Sequence, residues 1–322
     1  MLSMRAKAVR FLLKNRHWFK GRHTAEVITP MTDIRPLREA VRKGAARAKL
    51  PSGVRIMPLE AGPVTGEWHL PAGAPTDRMI LYCHGSGFVM GSARDHRSIV
   101  ANLAAGCGLQ TLAFDYSLAP EHPFPAAVEE AEALYVWLLE QGWASESLVV
   151  AGDSAGACIA LGALLKLKDR GFPMPRAMAA VSPCTDLTRS GASHERNRLL
   201  DPVTPPGANE TYMNWYLGGK DPRQPYASPL FGDLAGLPPL LIFAGSLETL
   251  LDDAVALTER VKEAGGTATL RVGEGLFHCY PLLAPLFPEA SAAHRELCGF
   301  IRAQLGPHSG PAVHGAGMDH RQ

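Results

Sequence analysis

The 322-residue chain contains no run of about twenty apolar residues, the length that a helix needs to cross a bilayer. The apolar run at residues 11–13 is followed at once by Lys14 and is too short for a signal peptide. We therefore predict a cytoplasmic protein without stable membrane insertion.

Cysteine patterns typical of a disulfide framework or a zinc site are also missing. The six cysteines include no Cys-x-x-Cys motif, and no histidine pair stands at zinc-like spacing. Most cysteines lie inside apolar runs, where a free cysteine behaves as a small core residue. The sequence thus favours a reducing compartment and a protein without a metal.

A net charge of either sign is nearly absent, since 32 Lys and Arg balance 31 Asp and Glu, and this argues against a nucleic-acid partner. The charge is uneven, however. Residues 1–50 hold 13 basic and 3 acidic residues, a net of +10, and the remainder holds 19 against 28, a net of −9. A basic segment needs a clean apolar stripe to lie on an anionic membrane. We expect instead that these basic residues form the solvated face of a helix.

Short apolar segments alternate with amphipathic ones along most of the chain. Residues 53–60 and 66–73 predict a hairpin, and six further strands are predicted at 79–84, 111–116, 147–153, 177–182, 239–245 and 268–274. Helical periodicity predicts helices at 93–105, 126–141, 155–169, 249–264 and 288–305. This order predicts an α/β fold with an eight-stranded, mostly parallel sheet flanked by helices.

About fifty residues between Cys184 and Leu237 interrupt this alternation and are rich in Pro, Gly and Asn, with one helix near 209–217. An insertion of that size at the carboxyl ends of strands usually covers a site. We expect residues 185–236 and helices within residues 1–50 to form a cap over a catalytic core of residues 51–184 and 237–306. Residues 307–322 lack apolar periodicity and are predicted to be a disordered tail.

The pentapeptide GDSAG at 152–156 places Ser154 between a predicted strand and a predicted helix. A serine on so tight a turn adopts strained backbone angles and presents its Oγ above the sheet. Gly152 and Gly156 are expected where neighbouring backbone leaves no room for a side chain. The alternative is a serine that only caps the following helix. The strand–turn–helix context favours a nucleophile.

HGSGF at 84–88 follows another predicted strand, and its small residues let successive N–H groups turn toward one point, as an oxyanion requires. The predicted oxyanion donors are Ser86, Gly87 and Ala155. The predicted supporting residues are His84, Gly85 and Asp153. GSGFVMG also resembles a dinucleotide-binding turn, with Asp115 at the end of the next strand as the acid that would bind a ribose. That interpretation explains neither GDSAG nor the loop that contains His278.

Two segments downstream supply a carboxylate and an imidazole. Glu248 lies in the loop just past a predicted strand and is the predicted triad acid, with Asp252 one turn later as the alternative. The alternative role for Glu248 is to compensate the positive dipole at the N-terminus of the helix that follows it. His278 follows the last predicted strand in a loop, from which it could reach both the serine and the acid.

Several blocks in this order resemble the hormone-sensitive-lipase-like branch of the α/β-hydrolases, the bacterial family IV carboxylesterases. HGSGF is similar to the family's His-Gly-Gly-Gly block, with Ser86 where Gly is usual, and DYSLAPEHPFPAA at 115–127 is similar to a second block, with Ser117 where Arg is usual. GDSAG matches the nucleophile block, and ETL at 248–250 resembles a subgroup that uses Glu. The resemblance covers roughly residues 50–305.

This resemblance implies an α/β-hydrolase fold with a helical cap. It also implies hydrolysis of small-molecule esters with short to medium acyl chains by Ser154, Glu248 and His278, without a cofactor. An amidase or a deacetylase would use the same triad, whereas a non-catalytic ligand-binding relative would lack part of it. A homodimer through the last strand is suggested by resemblance alone. Tyr212, Trp215 and Tyr216 either line an acyl or alcohol pocket or pack within the cap.

Overall fold

The computed structural model describes residues 2–18, 26–61 and 64–306, and the predicted tail at 307–322 lies outside these ranges. The strands of the described chain are β1 Val54–Ala61, β2 Val64–Pro71, β3 Met79–Cys83, β4 Gln110–Asp115, β5 Leu148–Asp153, β6 Ala177–Val181, β7 Leu240–Gly245 and β8 Ala268–Gly273. The helices are α1 Met4–Lys14, α2 Ile34–Ala45, α3 Arg97–Cys107, α4 Ala126–Glu140, α5 Ala155–Asp169, α6 Ser193–Arg196, α7 Ala208–Leu217, α8 Leu251–Glu263 and α9 Pro288–Leu305.

All eight strands join one sheet in the order β1-β2-β4-β3-β5-β6-β7-β8. The β1–β2 and β2–β4 pairs are antiparallel, and every pair from β4–β3 to β7–β8 is parallel. The predicted eight-stranded, mostly parallel sheet is therefore confirmed. Parallel pairing brings the carboxyl ends of β3, β5, β6, β7 and β8 to one edge, where the loops with the predicted site residues begin.

Side chains alternate between the two faces of the sheet, and both faces are buried. On β3, Leu81 belongs to an apolar core shared with α4, α5 and α8, whereas Ile80 belongs to a core shared with α3 and α9. Strands covered on both faces read as continuous apolar runs. This is why MILYC and LLIFAG are recognisable in the sequence without period-two alternation.

The third helix begins four residues later than predicted. α3 starts at Arg97 rather than near 93 because the preceding segment is held by side chains: Oδ1 of Asp115 accepts from the Ala93 N–H at 2.7 Å, and the Ser92 hydroxyl accepts from the Asp95 N–H at 3.0 Å. These bonds satisfy backbone donors outside a helix. Asp115, which the dinucleotide interpretation assigned to a ribose, thus anchors a loop.

The N-terminal segment contacts both the core and the insertion. α1 packs on α9, and its N-cap Ser3 hydrogen-bonds Glu289 through its backbone N–H and its hydroxyl. Beyond α1, the Arg16 guanidinium donates to the carbonyls of Pro202 and Val203 at 2.8 and 2.9 Å. The predicted helix near 209–217 is present as α7.

Candidate active site

Ser154 occupies the turn between β5 and α5, with φ 51° and ψ −120°. This backbone region is strained for a non-glycine residue and persists where surrounding structure imposes it. The Ser154 N–H donates to the Val181 carbonyl at 2.8 Å, which holds the turn against β6. Its side chain makes no capping hydrogen bond to α5, so the helix-cap interpretation is wrong.

Gly156 lets this turn pass beneath the loop that follows β3. A Cβ at Gly156 would lie 2.2 Å from the Cys83 carbonyl oxygen and 2.3 Å from that of His84, both fixed backbone atoms. The corresponding distance at Gly152 is 3.0 Å, to the Ala157 N and the Cys83 carbonyl oxygen. The close approach predicted at both glycines is present, and it is more severe at Gly156.

The loop after β8 brings an imidazole to the serine. Nε2 of His278 lies 3.0 Å from Oγ of Ser154, although the two residues are 124 positions apart. This distance suits a base that accepts the hydroxyl proton. The His278 side chain is 11% exposed, and burial lowers the pKa of His278 from its ordinary value of 6.5. The imidazole is therefore neutral at pH 7, as a base must be.

Glu248 lies on the other side of the same imidazole, and its side chain is fully buried. Its Oε2 is 3.8 Å from Nδ1 of His278 and accepts hydrogen bonds from the Ser182 hydroxyl at 2.7 Å and the Gly245 N–H at 3.0 Å. Oε1 of Glu248 and Nδ1 of His278 are both buried, and neither has a partner among the described residues.

Burial also acts on the carboxylate and raises the pKa of Glu248 to about 8, while the bonds from Gly245 and Ser182 act in the opposite direction. Burial penalises the charged form of both Glu248 and His278. Each charge is therefore most favourable when the opposite charge on the other residue is also present. When the proton moves onto Nε2 of His278, the imidazolium favours the ionised form of Glu248. The two charges would then compensate each other.

The alternative acid is engaged elsewhere. Asp252 accepts from the Ser193 N–H at 2.8 Å and lies 3.2 Å from an Arg196 nitrogen, so it ties the first turn of α8 to α6. Asp253 is buried and accepts from the N–H groups of Thr185 and Asp186. Of the acids in this segment, Glu248 is the one that the structure places beside His278, and the alternative assignment to Asp252 is not supported.

The loop after β3 contains three consecutive residues in a left-handed backbone conformation. Ser86, Gly87 and Phe88 all have positive φ, at 81°, 69° and 67°. In the described chain, no acceptor is paired with the N–H groups of Ser86, Gly87 or Ala155. These are the three donors predicted for the oxyanion, and they remain available to a ligand.

The predicted supporting residues hold this loop from below. The Asp153 carboxylate accepts from the Gly85 N–H at 3.0 Å and from the Tyr82 hydroxyl at 2.7 Å. A Cβ at Gly85 would overlap that carboxylate at 2.2 Å. The His84 ring is fully buried and stacks on Tyr116 at 4.2 Å. Burial lowers the pKa of His84 to about 3, so the ring is neutral and supports the loop without titrating near pH 7.

Tyr216 and Tyr212 lie on the same helix, α7, but in different surroundings. Tyr216 is buried and stacks on Phe88 with ring centroids 4.0 Å apart, so it packs. Tyr212 lies directly over the oxyanion loop, because a Cβ at Gly87 would be 2.6 Å from its ring. Tyr212 is therefore in close contact with the loop that carries two of the predicted oxyanion donors.

Several residues that shape the site were not predicted. Ser182 donates to Glu248 and accepts from the Cys279 N–H at 2.9 Å, linking the acid to the histidine loop. The Tyr116 hydroxyl donates to the His84 carbonyl at 2.8 Å. Asp201 is 6% exposed and raises the pKa of His278. Tyr116 lies in the block at 115–127 that carries the family resemblance, which was the one available signal for it.

Backbone strain concentrates around this site. In residues 2–18, 26–61 and 64–306, the non-glycine residues with positive φ are Ser86, Phe88, Ser154, Ser182, Arg189 and Cys279. All but Arg189 belong to the turn, the oxyanion loop or the loops that hold the acid and the histidine. Strain of this kind clusters at functional sites.

Across the described ranges, no three His, Cys, Asp or Glu side chains converge as metal ligands would. No helix in the same ranges combines the length and hydropathy needed to span a bilayer.

Comparisons with known proteins identify the family of this chain. A family model described as the alpha/beta hydrolase fold matches residues 80–282. The chain is 42% identical to an acetyl-hydrolase of Streptomyces hygroscopicus, over 77% of this chain and 83% of the relative. It is 35% identical to an esterase of Acinetobacter venetianus, over 77% and 82%. A crystal structure of an esterase from the bacterial hormone-sensitive lipase family superposes with a TM-score of 0.87 at 37% identity, covering 95% of this chain and all of that one.

Proposed function

We propose that this chain, which belongs to the alpha/beta hydrolase fold family and is a carboxylic ester hydrolase, works through a triad of Ser154, His278 and Glu248. The observation that carries the proposal is the 3.0 Å contact between Oγ of Ser154 and Nε2 of His278 at a strained turn. A serine that served only as a helix cap would need neither the strain nor the imidazole.

The reaction proceeds by acyl transfer. His278 takes the Ser154 hydroxyl proton as Oγ attacks the ester carbonyl, and the N–H groups of Ser86, Gly87 and Ala155 bind the oxyanion. The alcohol leaves with the proton from His278. Water then repeats the sequence on the acyl-enzyme and releases the carboxylic acid. Glu248 orients the imidazole and stabilises its cationic form.

We infer that the acyl group is short to medium in length. Tyr212 closes over Gly87 and limits the space beside the oxyanion loop. The Streptomyces relative is named an acetyl-hydrolase, which supports a small acyl group. An amide or an N-acetyl substrate would use the same groups. Esters are favoured because alkoxides leave more readily than amines.

Residues 185–236 and the N-terminal helices are proposed to cover the site as a cap. The support is the pair of hydrogen bonds from Arg16 to the 202–203 carbonyls, together with Tyr212 over the oxyanion loop.

A cytoplasmic location is proposed because all six cysteines are free thiols. A homodimer is proposed through β8, an edge strand of the sheet. Light scattering on the purified protein tests that dimer.

The deciding experiment is hydrolysis of p-nitrophenyl acetate, butyrate and decanoate by the wild type and by Ser154→Ala, each checked for folding by circular dichroism and thermal melting. We expect turnover on the two shorter esters that vanishes in the folded variant. Full activity in Ser154→Ala would overturn the assignment of the nucleophile. Equal turnover on decanoate would overturn the proposed chain-length limit.

A further inference from the structure

The outward face of α1 carries large apolar side chains in solvent. Met4, Phe11 and Leu12 are 77%, 57% and 50% exposed, and Trp18, just past the helix, is 56% exposed. Residues at spacings of seven and eight lie on one face of a helix. The Phe11 and Trp18 rings contact edge to face, with centroids 6.1 Å apart.

This apolar stripe is additional to the face that anchors the helix. Ala6 is fully buried, and Val9 and Leu13 pack on the core shared with α9. α1 therefore has two apolar faces, one covered by the protein and one in solvent. Arg5, Lys7 and Lys14 are exposed, as expected for a solvated basic face, but the same helix also exposes an apolar stripe that was not predicted.

Basic side chains flank the exposed stripe on both sides. At 100° per residue, Arg5 falls on one border of the Met4–Phe11 line, and Lys7 and Lys14 fall on the other. α1 contains no acidic residue, and no ion pair engages these three cations within the described residues. An apolar centre bordered by Lys and Arg is the pattern of helices that lie in a membrane interface.

A further exposed apolar side chain lies on the insertion, beside a cavity that the C-terminal end of α1 also lines. Leu199 is 64% exposed, and it borders, with Lys14, Arg16 and Asp201, a cavity of about 350 Å³. Asp201 is also the carboxylate that most raises the pKa of His278. The surface therefore adjoins a cavity whose wall carries a residue that acts on the catalytic imidazole.

We propose that Met4, Phe11, Leu12, Trp18 and Leu199, here called the interfacial patch, bind the surface of a membrane that contains anionic phospholipids. The helix would lie in the plane of the bilayer with its stripe among the acyl chains and Arg5, Lys7 and Lys14 against the headgroups. Charge complementarity selects this occupant, because residues 1–50 carry a net +10 and the rest a net −9.

Co-sedimentation with lipid vesicles tests the proposal. Full-length Ser154→Ala protein is used so that no lipid is hydrolysed, with vesicles of phosphatidylcholine alone or with about 30 mol% phosphatidylglycerol, at low and high salt. We expect binding to the anionic vesicles that falls at high salt. Adding Phe11→Ala, Leu12→Ser and Trp18→Ala together is expected to weaken binding to the anionic vesicles at least tenfold. Adding Arg5→Glu with Lys7→Glu is expected to abolish binding to vesicles with a low content of phosphatidylglycerol.

Two controls match these variants. Leu50→Ser removes an apolar side chain of similar exposure, 47%, and Lys220→Glu with Lys262→Glu makes the same change in net charge; both are expected to bind like the parent. Equal binding by the patch variants and the controls would overturn the proposal. So would absence of binding by the parent, or a patch variant that turns a dimer into a monomer without affecting vesicles.

Membrane binding and catalysis are separated by the choice of substrate. With Ser154 intact, the patch variants are expected to hydrolyse soluble p-nitrophenyl acetate at the wild-type rate, since no patch residue contacts Ser154, His278 or Glu248. Failure of the triad proposal would appear as p-nitrophenyl acetate turnover by Ser154→Ala equal to that of the wild type, and it would leave the vesicle-binding result unchanged.

Discussion

The Ser182 hydroxyl donates a 2.7 Å hydrogen bond to Oε2 of Glu248 and also accepts from the Cys279 N–H at 2.9 Å. One side chain from the end of β6 thus holds both the proposed acid and the residue after the proposed base. Ser182 itself has a φ of 50°, a conformation that tertiary contacts impose. It is a positioning residue, because it acts through Glu248 and His278.

Replacing Ser182 by Ala is expected to lower kcat by about ten- to a hundredfold with little change in KM, since Glu248 loses a donor and the Cys279 N–H loses its acceptor. Steady-state kinetics on p-nitrophenyl butyrate measures this. Ser147→Ala, which removes an exposed hydroxyl that bonds the Ala144 carbonyl, is the control and is expected to match the wild type. A Ser182→Ala enzyme with unchanged kcat would show that the hydroxyl is dispensable.

The acid assignment predicts opposite results for two neighbouring carboxylates. Glu248→Gln keeps the shape of the side chain but cannot compensate an imidazolium, so kcat is expected to fall roughly 10³-fold. Asp252→Asn is expected to keep kcat within about threefold, because Asp252 contacts α6 and not His278. The reverse order of activities would reassign the acid to Asp252.

The pH dependence follows from His278. Burial lowers the pKa of His278 below 6.5, and only the neutral imidazole accepts a proton. We therefore expect kcat/KM to fall as the pH is lowered, with an inflection below pH 6.5. The Asp201 charge stabilises the imidazolium and raises this pKa. Asp201→Asn is therefore expected to move the inflection to still lower pH. A shift to higher pH would contradict the placement of Asp201 near the site.

Two glycine-to-alanine changes test the packing of the turn. Gly156→Ala puts a methyl group 2.2 Å from the Cys83 carbonyl oxygen, and we expect a loss of several kcal/mol in the free energy of unfolding or no folded protein. Gly299→Ala on α9 meets no atom within 4 Å. It is expected to stabilise the protein by about 0.5–1 kcal/mol. Thermal melting measures both, and a neutral Gly156→Ala would refute the close backbone approach.

Local patterns in the sequence were enough to predict the sheet and the turn at Ser154. The strands are buried on both faces and appear as short apolar runs, and the GDSAG turn lies between adjacent elements, so its geometry depends on few residues. The start of α3 was mispredicted because Asp115, distant in sequence, accepts from the Ala93 N–H. The sequence-based preference for Glu248 over Asp252 as the acid depended on position relative to a strand end. In the structure Glu248 lies beside His278, whereas Asp252 contacts α6.

The sequence by itself determined the order of strands and helices, the strained serine turn and the residue types available for catalysis, because each depends on contacts within a few positions. Only the tertiary structure decided which of those residues meet. Ser154, Glu248 and His278 come together because parallel strands end at one edge of the sheet, and Ser182 joins them from a neighbouring strand. The orientation of α1 was equally undetermined, since packing on α9 selected which of its two apolar faces would be buried.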